Sequence, residues 1–267
     1  EPQEDCIHEY PWKGLQEKLQ GIRARELVVA TSGTGQGKSS IMRELATHLL
    51  TKGERVGYVA LEESNRRTAL GLMSVACGKQ FHIGKHEKED LKHYFSKTMA
   101  DWNLYLFDGF GSFDPDNIIS RIRYLAVGLD CKVVFLDHLS ILLSGLEGDE
   151  RKMIDTTMTR LRSLVEETGI SLFLVSHLRR AQGDKGHEDG AKVSLGQLRG
   201  SHSISQVADA CIALERDQQS DDEHPATTVR VLKNRFSGDV GIACQLKYDK
   251  EKCKFNEIEN FDATADF

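Results

Sequence analysis

The segment Ser32–Ser39 constrains the fold of this chain more than any other feature. It directly follows the apolar run Leu27–Thr31 and leads into an amphipathic stretch, which is the order strand, loop, helix. Its glycines allow consecutive backbone N–H groups to close around phosphate oxygens, and the helix N-terminus adds positive potential. We therefore predict a nucleotide-binding phosphate loop with the residues Ser32, Gly33, Thr34, Gly35, Gln36, Gly37, Lys38 and Ser39.

Two residues of the phosphate loop have defined chemistry in such motifs. Lys38 would reach the β- and γ-phosphates, and the Ser39 hydroxyl would hold Mg²⁺. A second magnesium ligand is expected on a neighbouring strand. The run Val133–Asp137 supplies it, because four apolar residues lead to Asp137 at the carboxyl end of a predicted strand. Ligands of open α/β sheets bind outside those ends, so the sequence predicts a Mg²⁺–nucleotide site there.

Hydrolysis of a bound nucleotide also needs a carboxylate that orients or deprotonates the attacking water. The predicted strand Arg55–Leu61 ends in Glu62 and Glu63. RecA-like motors keep this base at the tip of the strand that follows the phosphate-loop helix. We choose Glu62 as the base and keep Glu63 as the alternative.

The remainder of the chain alternates β-branched runs with longer amphipathic stretches, which predicts a mostly parallel sheet flanked by helices. The stretch Met153–Thr168 has helical apolar spacing. No helix separates the last two predicted strands, so we expect antiparallel strands at the C-terminal edge. The predicted strands are Glu26–Thr31, Arg55–Leu61, Leu104–Asp108, Lys132–Asp137, Ser171–Ser176, Ala210–Leu214, Thr228–Leu232 and Gly241–Tyr248.

Composition excludes several classes of protein. No stretch approaches 18 consecutive apolar residues, which argues against a transmembrane helix. The net charge of −6 excludes a generally basic nucleic-acid coat but permits a local basic patch. The six cysteines form no Cys-x-x-Cys pair and the ten histidines form no metal-like cluster along the sequence, which favours reduced thiols in a cytosolic protein.

The chain divides into three predicted parts. Residues 1–20 are polar and contain two prolines, which suggests a linker or an arm to a neighbouring subunit. Residues 21–255 are predicted to form one α/β domain around the phosphate loop. Residues 256–267 carry four acidic residues and no lysine or arginine, which predicts a disordered acidic tail. The first residue is glutamate rather than methionine, so we expect a fragment whose preceding part carries another domain.

Six motifs of the chain belong together: Leu61–Ser64, Leu136–Ser140, Asp149–Asp155, Leu198–Ser201, Ala213–Arg216 and Arg235–Gly241. They closely resemble the helicase domain of the bifunctional primase–helicases of T-seven-like phages, with the mitochondrial helicase Twinkle and the bacterial DnaB helicases as more distant relatives. The resemblance runs from about Gly14 to Phe267. Ser32 stands where the phosphate-loop pattern usually has its first glycine, and the phage members share this serine.

This resemblance implies a RecA-like P-loop NTPase core that assembles into a homo-hexameric or heptameric ring with nucleotide sites between subunits. It implies that Arg235 reaches the γ-phosphate on the adjacent subunit as an arginine finger. His177 stands at the position of a γ-phosphate sensor. Arg216 and Tyr248 match residues that sandwich the nucleotide base. The substrate, ATP or dTTP, stays open.

A glycine-rich, charged loop over Leu178–Gly200 carries the predicted DNA contacts. The resemblance implies that loops here project into the central channel and bind single-stranded DNA, where basic residues follow the phosphates. Asp184, Glu188 and Asp189 offset part of the charge, so a solvated charged loop is the alternative. The candidate DNA-binding residues are Arg179, Arg180, Lys185, Lys192, Arg199 and Gly200.

The function that follows is an NTP-driven replicative helicase that translocates 5′ to 3′ on single-stranded DNA and unwinds the duplex at the replication fork. The resemblance further implies a phage-encoded protein in the cytoplasm of a bacterial host, whose acidic tail docks Phe267 on the replicative DNA polymerase. The alternative is a RecA- or KaiC-type ATPase that binds DNA or protein under nucleotide control without unwinding. Glu62, Arg235 and the motif Arg235–Gly241 favour the motor.

Overall fold

The computed structural model describes residues 6–33, 35, 37–108, 114–138, 150–178, 186–187, 189–198, 201–220, 222 and 225–259. Its strands are β1 Cys6–His8, β2 Ile22–Arg23, β3 Leu27–Ser32, β4 Val56–Ala60, β5 Leu104–Asp108, β6 Val133–Asp137, β7 Ser171–His177, β8 Ala210–Glu215, β9 Thr227–Asn234, β10 Gly241–Asp249 and β11 Lys254–Glu257. Its α-helices are α1 Lys13–Leu19, α2 Lys38–Thr51, α3 Asn65–Cys77, α4 Lys88–Thr98, α5 Pro115–Arg123, α6 Glu150–Thr168 and α7 Ser201–Val207. A π-helical turn, Tyr124–Gly128, follows α5, and a 3₁₀ turn, Leu195–Gln197, precedes α7.

Nine strands form one sheet in the order β11-β10-β9-β8-β3-β7-β6-β4-β5. The six strands from β8 to β5 in this order run parallel, and β9, β10 and β11 continue the sheet as antiparallel neighbours. Each of the eight predicted strands is present within a residue or two of its predicted bounds. The predicted fold class is therefore confirmed, including the antiparallel C-terminal edge. The short strands β1, β2 and β11 were not predicted.

The sheet is buried on both faces, which explains its continuous apolar runs. Successive side chains of a strand point to opposite faces, so Val28 and Ala30 enter one core while Leu27 and Val29 enter the other. The first core lies under α1, α2 and α3, and the second lies under α5, α6 and α7. The predicted helix over Met153–Thr168 is confirmed as the main part of α6.

The predicted boundary at residue 20 is wrong, because the core begins earlier. Tyr10, Trp12, Leu15 and Leu19 are each at most 5% exposed and belong to the first core. Helix α1 packs so closely on β10 that a Cβ at Gly14 would lie 2.0 Å from the Ala243 carbonyl oxygen. The aromatic and leucine side chains of this segment make it part of the α/β domain rather than a free linker.

The predicted boundary of the tail at residue 256 is also wrong. Strand β11 pairs with β10 through Glu257, which lies opposite Leu246. The Glu257 carboxylate accepts hydrogen bonds from the backbone N–H groups of Lys13 (2.6 Å) and Gly14 (2.8 Å) at the start of α1. A carboxylate at a helix N-terminus stabilises the helix, so this residue joins the two ends of the domain. The remaining tail, residues 260–267, lies outside the described residues.

The parallel strands place their carboxyl ends at one edge of the sheet. In the register of β3 with β7, Ser32 lies opposite His177, and in the register of β4 with β6, Ala60 lies opposite Asp137. The ends of four strands therefore converge beside the phosphate loop, as expected for a ligand site in an open α/β sheet. Among the helices that the structure describes, none combines the length and the apolar character needed to cross a membrane.

Candidate nucleotide-hydrolysis site

The phosphate loop joins the end of β3 to the start of α2 as predicted. Two of its glycines have positive φ, 74° at Gly35 and 93° at Gly37, a region that side chains rarely adopt. Gly37 is the N-cap of α2, so the helix N-terminus faces the loop. Ser32 is fully buried, and its hydroxyl donates to the Gly33 carbonyl oxygen over 2.7 Å. Thr34 and Gln36 lie outside the described residues.

Lys38 begins α2 with its ammonium group held over the loop. Its Nζ donates to the Ser32 carbonyl oxygen (3.1 Å), the Ser32 hydroxyl (3.0 Å) and the Gly33 carbonyl oxygen (3.0 Å). Burial lowers the pKa of Lys38 to about 8, against the opposing attraction of Asp137 and Glu62. A buried cation is stabilised by a nearby anion, so this position suits a phosphate group.

Ser39 and Asp137 meet across the site, although 98 residues separate them. The Ser39 hydroxyl donates to Oδ2 of Asp137 over 2.9 Å. Burial raises the pKa of Asp137 to about 6, while the hydrogen bond from Ser39 opposes the shift. A hydroxyl and a carboxylate are the hard oxygen ligands that Mg²⁺ prefers, so the residues present fit this ion.

The structure separates the roles of the two neighbouring glutamates. Glu63 is only 16% exposed, and its two oxygens pair with Nη2 of Arg43 at 2.7 and 2.6 Å. It also accepts a hydrogen bond from Thr68 at 3.0 Å. Glu62 lies at the site instead, with a side chain that is 47% exposed. This geometry favours Glu62 as the base over Glu63.

Two histidines gather around Glu62. His138 contacts a Glu62 carboxylate oxygen through Nε2, and His177 Nε2 lies 3.9 Å from the same oxygen. The two imidazole rings are edge-on, with centroids 4.0 Å apart. This cluster is not evident along the sequence, because residues 62, 138 and 177 are far apart in the chain. Their ligand atoms nevertheless lie within 4.8 Å of one another. His138 had no predicted role, although it lies in the motif Leu136–Ser140, directly after Asp137.

Arg216 contacts the flank of the phosphate loop directly, whereas Tyr248 packs on a residue that lies beside the loop. Arg216 donates from Nη2 to the Gly35 carbonyl oxygen over 2.7 Å. Tyr248 packs on the ring of Phe255, with centroids 4.9 Å apart, and Phe255 itself lies 3.6 Å from where a Cβ at Gly37 would be. The predicted stacking of these two side chains on a base stays a prediction.

Arg235 lies near the amino end of β3, whereas its own phosphate loop follows the carboxyl end of that strand. It donates to Oδ1 of Asp209 over 3.1 Å, and Oδ2 of Asp209 accepts from the Leu27 backbone N–H at the start of β3. Five residue steps along β3 from Leu27 to Ser32 span roughly 17 Å. An arginine side chain cannot cross that distance, and Arg235 is 53% exposed.

Five of the six candidate DNA-binding residues in the predicted loop lie outside the described residues. Lys192 is described and exposed, in the segment before the 3₁₀ turn. Its neighbour Val193 is buried and donates from its backbone N–H to Glu215 over 2.7 Å, which anchors this segment to the end of β8. Outside the described residues are Arg179, Arg180, Lys185, Arg199 and Gly200.

The central phosphate loop, the mostly parallel sheet and the convergent strand ends define a RecA-like ATPase fold. The chain belongs to the family of DnaB-like helicase C-terminal domains, whose model matches residues 10–257. It is 38% identical over 247 residues to the DNA helicase/primase of enterobacteria phage T3, an alignment that covers 90% of this chain and 44% of the relative. The chain thus spans about half the length of the curated relatives it matches.

Solved structures agree on the fold. A DnaB-like replicative helicase, solved in a study of its interactions with primase, superposes with a TM-score of 0.77 at 20% identity, covering 95% of this chain and 63% of that one. A KaiC-like protein from Pyrococcus horikoshii superposes with a TM-score of 0.66 at 19% identity, covering 94% of this chain and 97% of that one. The resemblance described from the motifs is thereby confirmed at the level of the family and the fold.

Proposed function

We propose that this chain is the motor domain of a replicative DNA helicase that hydrolyses ATP or dTTP with Mg²⁺ and translocates 5′ to 3′ on single-stranded DNA. The proposal rests on one observation. The Ser39 hydroxyl is hydrogen-bonded to the Asp137 carboxylate, and Glu62 and Lys38 lie beside this pair. A site that only binds nucleotide needs the loop and the lysine, whereas hydrolysis also needs a magnesium ligand and a base. The family match and the phage relative support the same function.

The side chains divide the work of phosphoryl transfer. Ser39 and Asp137 would hold Mg²⁺, which supplies neutralisation of the charge on the β- and γ-phosphates. Lys38 would bind the same phosphates through its ammonium group. Glu62 would orient the attacking water and accept its proton, and His177 would donate a hydrogen bond to the γ-phosphate.

The distance between Arg235 and its own phosphate loop supports a role on a second copy of the chain. A group at the amino edge of the sheet can contact a γ-phosphate only if a neighbouring subunit presents its nucleotide there. The site is then completed between subunits, which suits a ring of six or seven copies. An arginine in that role stabilises the charge of the transferring phosphoryl group and raises the rate about 10³- to 10⁵-fold.

The partners of the motor follow from the same proposal. The loop Leu178–Gly200 would contact the phosphates of single-stranded DNA through Arg179, Arg180, Lys185, Lys192, Arg199 and the Gly200 backbone. The acidic end of the chain would dock Phe267 on the replicative DNA polymerase. A phage-encoded protein of this kind acts in the cytoplasm of its bacterial host.

Strand displacement from a forked DNA substrate tests the proposal. We expect displacement that requires Mg²⁺, a hydrolysable nucleotide and a 5′ single-stranded arm, and no displacement by the Glu62→Gln variant. A matched fork with only a 3′ arm is the control for polarity. Assembly on DNA without displacement would contradict the motor and support the nucleotide-switched binding protein.

A further inference from the structure

His138 lies between two side chains of the candidate hydrolysis site. Its Nε2 contacts Oε1 of Glu62. Its ring stands edge-on to the ring of His177, with an interplanar angle of 84° and centroids 4.0 Å apart. His138 therefore touches both the candidate base and the candidate γ-phosphate sensor.

Burial makes His138 the fixed member of this trio. Its side chain is 5% exposed, whereas that of Glu62 is 47% exposed and that of His177 is 27% exposed. His138 also follows Asp137 directly at the end of β6, and Asp137 is itself buried and bonded to Ser39. A half-exposed glutamate samples several rotamers unless a bond restricts it. Contact with a buried ring supplies that restriction.

The direction of the hydrogen bond follows from the chemistry of the groups. An ionised carboxylate can only accept, so the Nε2–H group of His138 donates to Glu62. Hydrogen bonds to an ionised acceptor are about twice as strong as neutral ones. A carboxylate has two oxygens, so a bond at one of them fixes the group while the other can act on water.

We propose that His138 is a positioning residue that holds the Glu62 carboxylate in its working rotamer and links its position to that of His177. The proposal rests on the proposed roles of Glu62 and His177. It predicts that a change in the contacts of His177 with the γ-phosphate shifts the Glu62 carboxylate, because the His138 ring contacts both side chains. His138 itself need not touch the nucleotide.

Steady-state NTP hydrolysis by three variants tests the proposal. His138→Leu removes the donor, His138→Asn places an amide only as far as the Nδ1 position, and His138→Gln can place an N–H near the position of Nε2. We expect kcat to fall about 10- to 100-fold in the Leu and Asn variants with little change in KM, because misplacement of a catalytic group acts on the chemical step. The Gln variant should recover most of the rate.

A double-mutant cycle with Glu62→Gln separates positioning from a general structural effect. If His138 acts through Glu62, the variant with both Glu62→Gln and His138→Leu hydrolyses no more slowly than Glu62→Gln alone. Independent, multiplying losses would overturn the proposal, and so would an unchanged kcat in His138→Leu and His138→Asn. If the Leu variant does not fold, the values of kcat for the Asn and Gln variants are compared instead, since only the Gln variant can place an N–H near the position of Nε2.

Controls distinguish failure of this proposal from failure of the proposed function. His93→Leu makes the same chemical change at an exposed position of α4 and should leave kcat unchanged. Thermal unfolding and nucleotide binding report whether each variant is folded. A Glu62→Gln variant with full activity would remove the base from the proposed function, whereas an inactive Glu62→Gln variant together with an active His138→Asn variant would contradict the positioning role alone.

Discussion

At the scale of single residues, two adjacent glutamates have different surroundings and should respond differently to the same substitution. Glu62→Gln should lower turnover at least about 100-fold, because an amide cannot accept the proton of water, and leave nucleotide binding intact. Glu63→Gln should leave most of the turnover. Rates of NTP hydrolysis and a nucleotide-binding titration measure both effects. Loss of turnover in a folded Glu63 variant, with activity retained in the Glu62 variant, would move the base to Glu63.

The effect on stability should be the reverse of the effect on turnover, because Glu63→Gln should destabilise the fold while Glu62→Gln should not. Glu63→Gln leaves the Arg43 guanidinium, which is 11% exposed, without its countercharge. Removing one partner of a buried ion pair costs several kcal/mol, and the residual exposure here suggests about 2 kcal/mol. Urea unfolding measures this free energy, with Glu62→Gln as the matched control. Equal stabilities would show that the ion pair contributes nothing.

At the scale of elements, a buried carboxylate joins the phosphate-loop helix to the C-terminal hairpin. Glu44 of α2 accepts a hydrogen bond from the Phe255 backbone N–H of β11 over 2.7 Å. Burial raises the pKa of Glu44 to about 7, although this hydrogen bond and the charge of Lys254 oppose the shift. The folded state therefore binds a proton more tightly than the unfolded state does, whose value is 4.5.

The sign of the pH dependence follows from that difference. Glu44 costs stability as pH rises from about 4.5 to about 7, by about 3 kcal/mol in all. Glu44→Gln keeps an oxygen that can accept the bond from Phe255 and cannot ionise. We expect this variant to be more stable than the parent by about 3 kcal/mol at pH 8 and by about 1 kcal/mol at pH 5.

Urea unfolding across this pH range checks the prediction. Glu251→Gln, in the exposed turn between β10 and β11, removes a carboxylate near the same hairpin and serves as the control. A gain that does not depend on pH, or that appears equally in the control, would contradict a buried carboxylate at Glu44.

At the scale of the whole molecule, the position of Arg235 predicts cooperation between copies of the chain. Because Arg235 cannot reach its own phosphate loop, an Arg235→Ala subunit should inactivate the site of its neighbour. Mixing this variant with the parent chain should lower DNA-stimulated hydrolysis faster than the fraction of parent chain falls. Lys250→Ala, at an exposed turn, is the control, and mixing it with the parent chain should leave DNA-stimulated hydrolysis unchanged. If activity instead falls in proportion to the fraction of parent chain, Arg235 does not act at the nucleotide site of a neighbouring subunit.

The C-terminal end of the chain predicts a second, separable interaction. Residues 260–267 end in Asp266 and Phe267 and contain no basic side chain. Removal of Phe267 should leave DNA-stimulated hydrolysis intact and weaken binding to the cognate DNA polymerase about tenfold or more, because an aromatic anchor fills a pocket. Phe267→Leu should give a smaller loss. Binding measured at two salt concentrations reports the charge contribution, and unchanged polymerase affinity after truncation would contradict docking.

The sequence by itself determined the features that are local in the chain. The phosphate loop, the strand that ends at Asp137 and the helix α6 each follow from a short stretch whose spacing encodes its own structure. The position of the glutamate pair just after β4 also followed from the sequence, whereas the choice of Glu62 over Glu63 as the base stays a prediction. Alternation and glycine content are local signals because backbone geometry repeats every few residues.

Tertiary structure alone decided which of these features meet. The sheet order places β4 beside β6 rather than beside β3, and only that order brings Glu62 to His138. The antiparallel direction of β9 places Arg235, which follows that strand, at the opposite end of the sheet from the phosphate loop. Packing also drew Tyr10, Trp12, Leu15 and Leu19 into the core, because burial of large apolar side chains is favourable. Contacts between distant segments depend on how all the apolar faces are buried together, and no short stretch of sequence carries that information.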